Sequence, residues 1–329
     1  MTRSQDALSL TLDDYHGRDP AMQRCLEQAR LAARTDLPIL ILGESGTGKT
    51  LLARAVHNSS PRRDGPFVSF NAAALSDTLL DSQLFGHERG AFTGAQNRVK
   101  GKFELANSGS LFIDEIADMS ASGQGKILRA VEYGEFERLG SETIQVSDVR
   151  LLSATHFPMG VFTESERFRR DLFFRISGWT ITLPPLRERR KDLPLLLASE
   201  IARASREQKK PIVGLERDAV DRVLAHAWPG NLRELSRVVD VAVASCEAGV
   251  VTADALYLQS FPDPDGRPAS PVSPASTGAE TLSLAAAERR HIGSVLARLA
   301  GNKRAAAKAL GISRSTLDRK LNDAAKDAR

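Results

Sequence analysis

Apolar residues along this chain gather in short continuous runs separated by segments of helical period. Leu37-Pro38-Ile39-Leu40-Ile41-Leu42, Phe67-Val68-Ser69-Phe70-Asn71, Ser110-Leu111-Phe112-Ile113 and residues 149–156 read as strands buried on both faces. Between them lie helical segments. One covers residues 19–34, with Asp19 as N-cap and Pro20 at the first helical position. Others follow Lys49, cover residues 77–84, resume near Phe103 and run from Gly125 to Gly134. Strands alternating with helices predict an α/β fold with a parallel sheet covered on both sides, its ligand chemistry at the C-terminal strand ends. After a break at Pro184-Pro185, residues 192–258 look all-helical, as a small lid would. Residues 259–280 carry five prolines among Gly, Ser and Asp and read as a linker. Residues 281–325 are helical again, and residues 1–15 show no domain-sized pattern.

A length of 329 residues exceeds one ordinary core and predicts two or three domains. No apolar run reaches membrane-spanning length and no signal peptide opens the chain, which argues for the cytoplasm and against a membrane partner. Cys25 and Cys246 read as free thiols. The net charge of +4 hides an asymmetry. Residues 281–329 carry a net +7 and residues 1–280 a net −3. A basic C-terminal end suggests nucleic acid, or simply a solvated helical face.

The first apolar run leads into Gly43-Glu44-Ser45-Gly46-Thr47-Gly48-Lys49-Thr50, which fits the phosphate-binding pattern G-x-x-x-x-G-K-[ST]. Glycines let backbone N–H groups turn inward around phosphates, and the following helix adds its N-terminal dipole. Lys49 can reach the β- and γ-phosphates of ATP, and the Thr50 hydroxyl can ligate Mg2+. The strand ending in Asp114-Glu115 supplies the second half of such a site, with Asp114 toward Mg2+ and Glu115 toward the attacking water. By itself, a strand followed by two acids is more often an ordinary strand end. Thr155-His156 ends another strand at the same edge. Arg169 and Arg175 are either surface ion-pair partners or arginine fingers for a neighbouring subunit. Asn231 reads as the cap of a lid helix. Arg233 in its first turn points either to an external anion or to an acidic neighbour. Gly90-Ala91-Phe92-Thr93-Gly94-Ala95 has no amphipathic period. On its residues alone it is a turn with one buried Phe, or a mobile loop carrying Phe92 outward.

Residues 302–321 have helix-turn-helix form: a short Ala-rich helix from Asn302 stopped at Gly311, then a second starting at Ser313. Ala306, Leu310, Ile312, Leu317 and Leu321 would form its core. Arg304, Ser313, Arg314, Ser315, Thr316, Arg319 and Lys320 would face double-stranded DNA, unless the unit is a plain helical hairpin.

Taken together these motifs resemble the AAA+ activators of sigma-54 RNA polymerase, the bacterial enhancer-binding proteins, over about residues 16–258. Residues 282–322 resemble their Fis-type helix-turn-helix. The resemblance implies a P-loop NTPase with a parallel sheet, an all-helical lid and a DNA-binding end. The implied boundaries are 1–15 tail, 16–187 α/β subdomain, 188–258 lid, 259–280 linker and 281–329 DNA-binding domain. It implies a ring, a hexamer in the family, with Arg169 and Arg175 acting in trans, Arg233 as sensor II and Thr155 and His156 in the sensor I region. It implies that Asn71 restrains Glu115, and that Gly90–Ala95 tips a loop contacting sigma-54. Three positions depart from the common pattern: Thr50, where many members carry Glu; His156, where Asn is common; and Ser108-Gly109-Ser110, where a glycine pair is usual. Many members carry a sensing domain before the ATPase, and the few residues ahead of it here predict control by expression level, a separate protein or a paired homologue, independent of a two-component receiver. The expected function is an ATP-dependent activator that binds upstream DNA and opens the sigma-54 promoter complex. A replication-type AAA+ loader would leave Gly90–Ala95 without a task, and a repressor with a vestigial ATPase would not retain Lys49, Asp114, Glu115 and both arginines.

Overall fold

The computed structural model of the chain describes residues 9–15, 17–73, 77–158, 168–246 and 249–258, with Gly160 and Lys303 besides. The chain divides into two compact units, Met1–Ala269 and Ser270–Arg329. All elements below belong to the first. The DNA-facing residues expected at Arg304, Ser313, Arg314, Ser315, Thr316, Arg319 and Lys320 lie outside the described residues.

Helix α1 (Pro20–Ala33) starts where expected, and the Asp19 side chain accepts from Ala21 N. The four apolar runs form β1 (Ile39–Leu42), β2 (Phe67–Asn71), β5 (Ser110–Asp114) and β8 (Arg150–Thr155), and a fifth strand, β9 (Trp179–Thr182), is absent from the sequence reading. They make one all-parallel sheet in the order β2-β5-β8-β1-β9. Every pair is parallel, so each connection crosses over, and apolar layers lie on both faces of the sheet. In β1, Leu40 and Leu42 join one apolar layer with Phe85, Phe103, Ile113 and Leu172, whereas Ile39 and Ile41 join the opposite layer with Leu52, Val56, Leu152 and Ile181. That two-sided burial explains why the strands read as continuous apolar runs. Burying each such side chain contributes about 1.5–3 kcal/mol.

Register decides where the chemistry falls. Asn71 pairs with Asp114, and Leu42 with Thr155, so these strand ends lie side by side. Helix α2 (Lys49–Asn58) follows the phosphate loop, and α3 (Asp77–Phe85) leads to a two-residue pair, β3 (Gly86–His87) with β4 (Val99–Lys100), from which Gly90–Ala95 projects. Then come α4 (Lys102–Leu105) and, after β5, α5 (Ala121–Tyr133). Helix α5 starts a full turn before the expected Gly125 because the Ser120 hydroxyl caps Gly123 N. Strands β6 (Glu135–Glu137) and β7 (Ile144–Val146) form a hairpin, and α6 (Arg170–Ile176) precedes β9.

The lid contains α7 (Leu193–Gln208), α8 (Arg217–Ala225) and α9 (Asn231–Ser245) around Leu197, Trp228, Leu235 and Val239. It also holds a short parallel pair absent from the sequence reading, β10 (Gly214–Leu215) with β11 (Val250–Val251). Two-residue strands are too short to show a period.

Candidate active site

The phosphate loop leaves β1 and turns into α2 with Gly46 at φ +79° and Gly48 at +104°, a left-handed backbone that residues with a Cβ rarely adopt. Gly46 is also crowded: a Cβ there would lie 2.4 Å from Gly230 O in the lid. Lys49 Nζ donates to Gly43 O (2.8 Å) and Glu44 O (3.3 Å) and lies 3.7 Å from Glu115 Oε1. Thr50 Oγ1 donates to Asp114 Oδ2 at 3.4 Å. Residues 64 positions apart therefore meet in one cleft. Burial, and then the adjacent Glu115 charge, push the Asp114 carboxyl above its usual range.

Among the described residues no three His, Cys, Asp or Glu side chains gather as a metal cluster. The cleft offers two hard oxygen donors, Thr50 Oγ1 and Asp114 Oδ2. That set fits Mg2+, which keeps water ligands and takes further oxygens from substrate phosphates rather than from an all-protein cage.

Glu115 sits just past β5 at φ +54°. Its Oε2 accepts from His156 N (3.2 Å) and pairs with His156 Nδ1 (2.8 Å). Thr155 is fully buried; its carbonyl accepts from Gly43 N and its hydroxyl from Phe157 N. Asn71 Oδ1 accepts from Ala73 N at 2.8 Å, and among the described residues no hydrogen bond joins Asn71 to Glu115.

The lid closes over this loop through contacts the sequence did not reveal. Arg187, in a 3-10 turn at Leu186–Glu188, binds Glu44 through both terminal nitrogens (2.8 and 2.5 Å). That guanidinium holds the Glu44 carboxyl below its usual range. Asn231 is not the cap: Gly230 occupies that position, and Asn231 begins α9 at φ +51°. Its Oδ1 accepts from Leu186 N (2.7 Å), and its Nδ2 donates to Glu44 Oε2 and Ser45 O (3.1 Å each). Arg233 Nη1 donates to Ser45 Oγ at 2.8 Å, so it meets the phosphate loop rather than an acid. Buried Arg189 donates to Thr47 O at 3.1 Å. Four lid-side residues thus bind positions 44, 45 and 47.

Arg169 flanks α6 and pairs with Asp171 at 2.8 Å; Arg175 donates to the carbonyls of Val131 and Glu132. Among the described residues neither contacts positions 43–50. The hexapeptide is a tight turn closed by Gly90 N to Ala95 O (2.8 Å) and Ala95 N to Phe92 O (3.0 Å). Gly90 and Gly94 have φ of +84° and +104° with open space around them, so backbone conformation rather than packing requires glycine. Thr93 and Gly94 are exposed, Ala95 is buried, and Phe92 is half-buried, edge-on to His87 at 5.0 Å. Phe92 is therefore neither a core residue nor fully extended into solvent.

Comparison with known proteins agrees with this anatomy. The chain matches the sigma-54 interaction domain over residues 15–182, the AAA+ ATPase lid domain over 187–269 and the Fis family of bacterial regulatory proteins over 283–323. It is 42% identical to the transcriptional regulatory protein ZraR of Klebsiella oxytoca, across 93% of this chain and 68% of that one. It is also 42% identical to the Nif-specific regulatory protein of Azotobacter vinelandii, across 81% and 51%. Among solved structures, NtrX of Brucella abortus superposes with TM-scores of 0.69 in its ADP complex and 0.68 in its ATP complex. Both are 31% identical, covering 98% of this chain and 71% of NtrX.

Proposed function

This chain belongs to the sigma-54 activator family, and we propose that it is an ATP-driven transcription activator that opens the sigma-54 RNA polymerase promoter complex. Its α/β subdomain (16–187) and lid (188–258) hydrolyse ATP between subunits of a ring, a hexamer. Its C-terminal domain (281–329) holds an upstream DNA site in the cytoplasm. The ATP and ADP complexes of NtrX support the nucleotide.

Positions 43–50 hold the phosphates, with Lys49 exchanging its loop carbonyls for phosphate oxygens. Thr50 and Asp114 would hold Mg2+, which neutralises phosphate charge when bound. Glu115 takes a proton from the attacking water, and Arg169 and Arg175 reach a neighbouring subunit's phosphate. Arg233, attached to Ser45, and Thr155 with His156 report on the occupied loop. Turnover drives Gly90–Ala95 against sigma-54, with Phe92 and Thr93 as contacts.

The observation that carries this reading is the exposed Thr93-Gly94 tip on a chain whose Lys49, Thr50, Asp114 and Glu115 converge in one cleft. The test is transcription in vitro with purified sigma-54 polymerase, with and without ATP. Open complexes should form only with ATP, and Lys49→Ala should abolish both ATP turnover and activation. ATP-independent activation would overturn the proposal.

A further inference from the structure

The side-chain amide of Gln124 is fully buried near the start of α5, and both of its ends are used on other segments. Nε2 donates at 2.8 Å to Met119 O, at the end of the 3-10 turn that follows Glu115. Oε1 accepts at 2.8 Å from the backbone N–H of Arg169, the residue at the N-cap position of α6. The Arg169 guanidinium is exposed and, among the described residues, bonds only Asp171, through Nε at 3.1 Å and Nη2 at 2.8 Å. That partner lies two residues on, in the first turn of the same helix, so it moves with the arginine and cannot fix where the arginine stands. At the other end of α6, Arg175 donates to Val131 O and Glu132 O of α5.

A buried amide bonded at both ends to main-chain groups of two other segments specifies how those segments are spaced. An apolar side chain of the same size would leave one carbonyl and one N–H without partners. Packing is less exacting: Leu172, Phe173 and Ile176 anchor α6 in the apolar layer through contacts that carry no direction. An arginine that meets phosphoryl charge acts only from a narrow range of positions, and misplacement by about 1 Å costs up to about 100-fold in rate. We infer that Gln124 is a positioning residue for Arg169. It holds the backbone from which that arginine reaches the neighbouring subunit's phosphate, and ties it to the turn after its own subunit's Glu115.

The inference rests on the reading of Arg169 as an arginine supplied in trans, and the experiment separates the two. Steady-state ATP hydrolysis and affinity for a fluorescent ATP analogue are measured on the full chain for wild type, Gln124→Met, Arg169→Ala, the double variant and Glu115→Gln. Hydrolysis is then measured on equal mixtures of Glu115→Gln with Gln124→Met and with Arg169→Ala. Gln124→Met should lower kcat about tenfold, with nucleotide affinity within about twofold, because the subunit's own phosphate loop is untouched. Beside Arg169→Ala it should cost nothing further. Mixed with Glu115→Gln, it should hydrolyse ATP faster than the two proteins do separately, because the inactive neighbour supplies a correctly held Arg169 to an intact cleft. Unchanged kcat in Gln124→Met overturns the inference, as does lost nucleotide binding or a further loss beside Arg169→Ala. So does a mixture no faster than its parts where the Arg169→Ala mixture is faster. If Arg169→Ala keeps wild-type turnover, or its own mixture gains nothing, the trans-arginine reading is overturned instead.

Discussion

Replacing Asn231 measures how firmly the lid is fastened to the phosphate loop. The side chain is fully buried and makes three hydrogen bonds, to Leu186 N, Glu44 Oε2 and Ser45 O. At about 0.5–1.5 kcal/mol net for each, their loss costs about 3 kcal/mol. The backbone adds a second effect. At φ +51° a Cβ is tolerated in asparagine but costs alanine about 1 kcal/mol. Asn231→Gly removes the hydrogen bonds without that strain; Asn231→Ala incurs both. For a folded body of this size about 1 kcal/mol corresponds to roughly 2–4 °C. Thermal unfolding should therefore show Asn231→Gly melting roughly 6–12 °C below wild type, and Asn231→Ala roughly 2–4 °C lower again. A glycine variant melting with wild type would refute the three-bond fastening. An alanine variant no lower than glycine would refute the strain.

Three other outcomes are expected. Thr93→Ala should lose promoter activation in vitro while retaining ATP turnover, because Thr93 lies on the exposed tip and touches none of the cleft residues; surviving activation would remove the loop from the sigma-54 contact. Truncation after residue 269 should abolish binding to a specific DNA duplex in a mobility-shift assay, since the net +7 segment and the Fis-family match lie beyond it. Arg187 depresses the Glu44 pKa, so that pair stabilises the fold above the unfolded Glu value and the contribution is lost as pH falls through the lower folded value. Below about pH 4.3, wild type should lose stability more steeply than Glu44→Gln, and equal slopes in an acid titration would show that the pair does not couple to folding.

What the sequence disclosed was local. Apolar runs placed four of the five sheet strands, whereas β9, a half-buried edge strand, carries no such run and escapes the sequence reading; the phosphate loop and Asp114-Glu115 each occupy contiguous positions whose spacing carries the chemistry. What it withheld was contact between distant segments. Arg187 reaches Glu44 across 143 positions, Asn231 reaches Ser45 across 186, and His156 meets Glu115 across 41. A side-chain hydrogen bond of that kind leaves no period in either segment. Asn231 illustrates the loss: its place before an amphipathic helix suggests a cap, but its left-handed backbone turns the amide toward the phosphate loop. Phe92 illustrates another, because the open glycine turn around it does not show that His87 lies within ring contact.

In the proposed mechanism the chemistry at Glu115 must reach a loop tip that no cleft residue touches, and the covalent path between them is short. From Glu115 the chain passes through one 3-10 turn into α5, thirteen residues or about 20 Å long, and then into β6 and Leu139. Leu139 N donates to Gly86 O and Leu139 O accepts from Glu88 N, each at 3.0 Å, so this residue brackets the strand from which the hexapeptide springs. Its neighbours add to the grip. Arg138, almost fully buried, bonds Glu88 at 3.1 Å and also pairs with Glu104, while a Cβ at Gly140 would lie 2.9 Å from that of Ala91. Lys126 ties the same helix to Asp81 of α3. A tilt of α5 by a few degrees displaces its far end by more than 1 Å over that length. A shift of that size carries a 3.0 Å hydrogen bond beyond the usual N–H···O range, whose upper end is about 3.2 Å. Under the proposed mechanism, a movement starting at Glu115 would meet these contacts before it reached the loop tip, and the contacts at Leu139 would break rather than bend gradually.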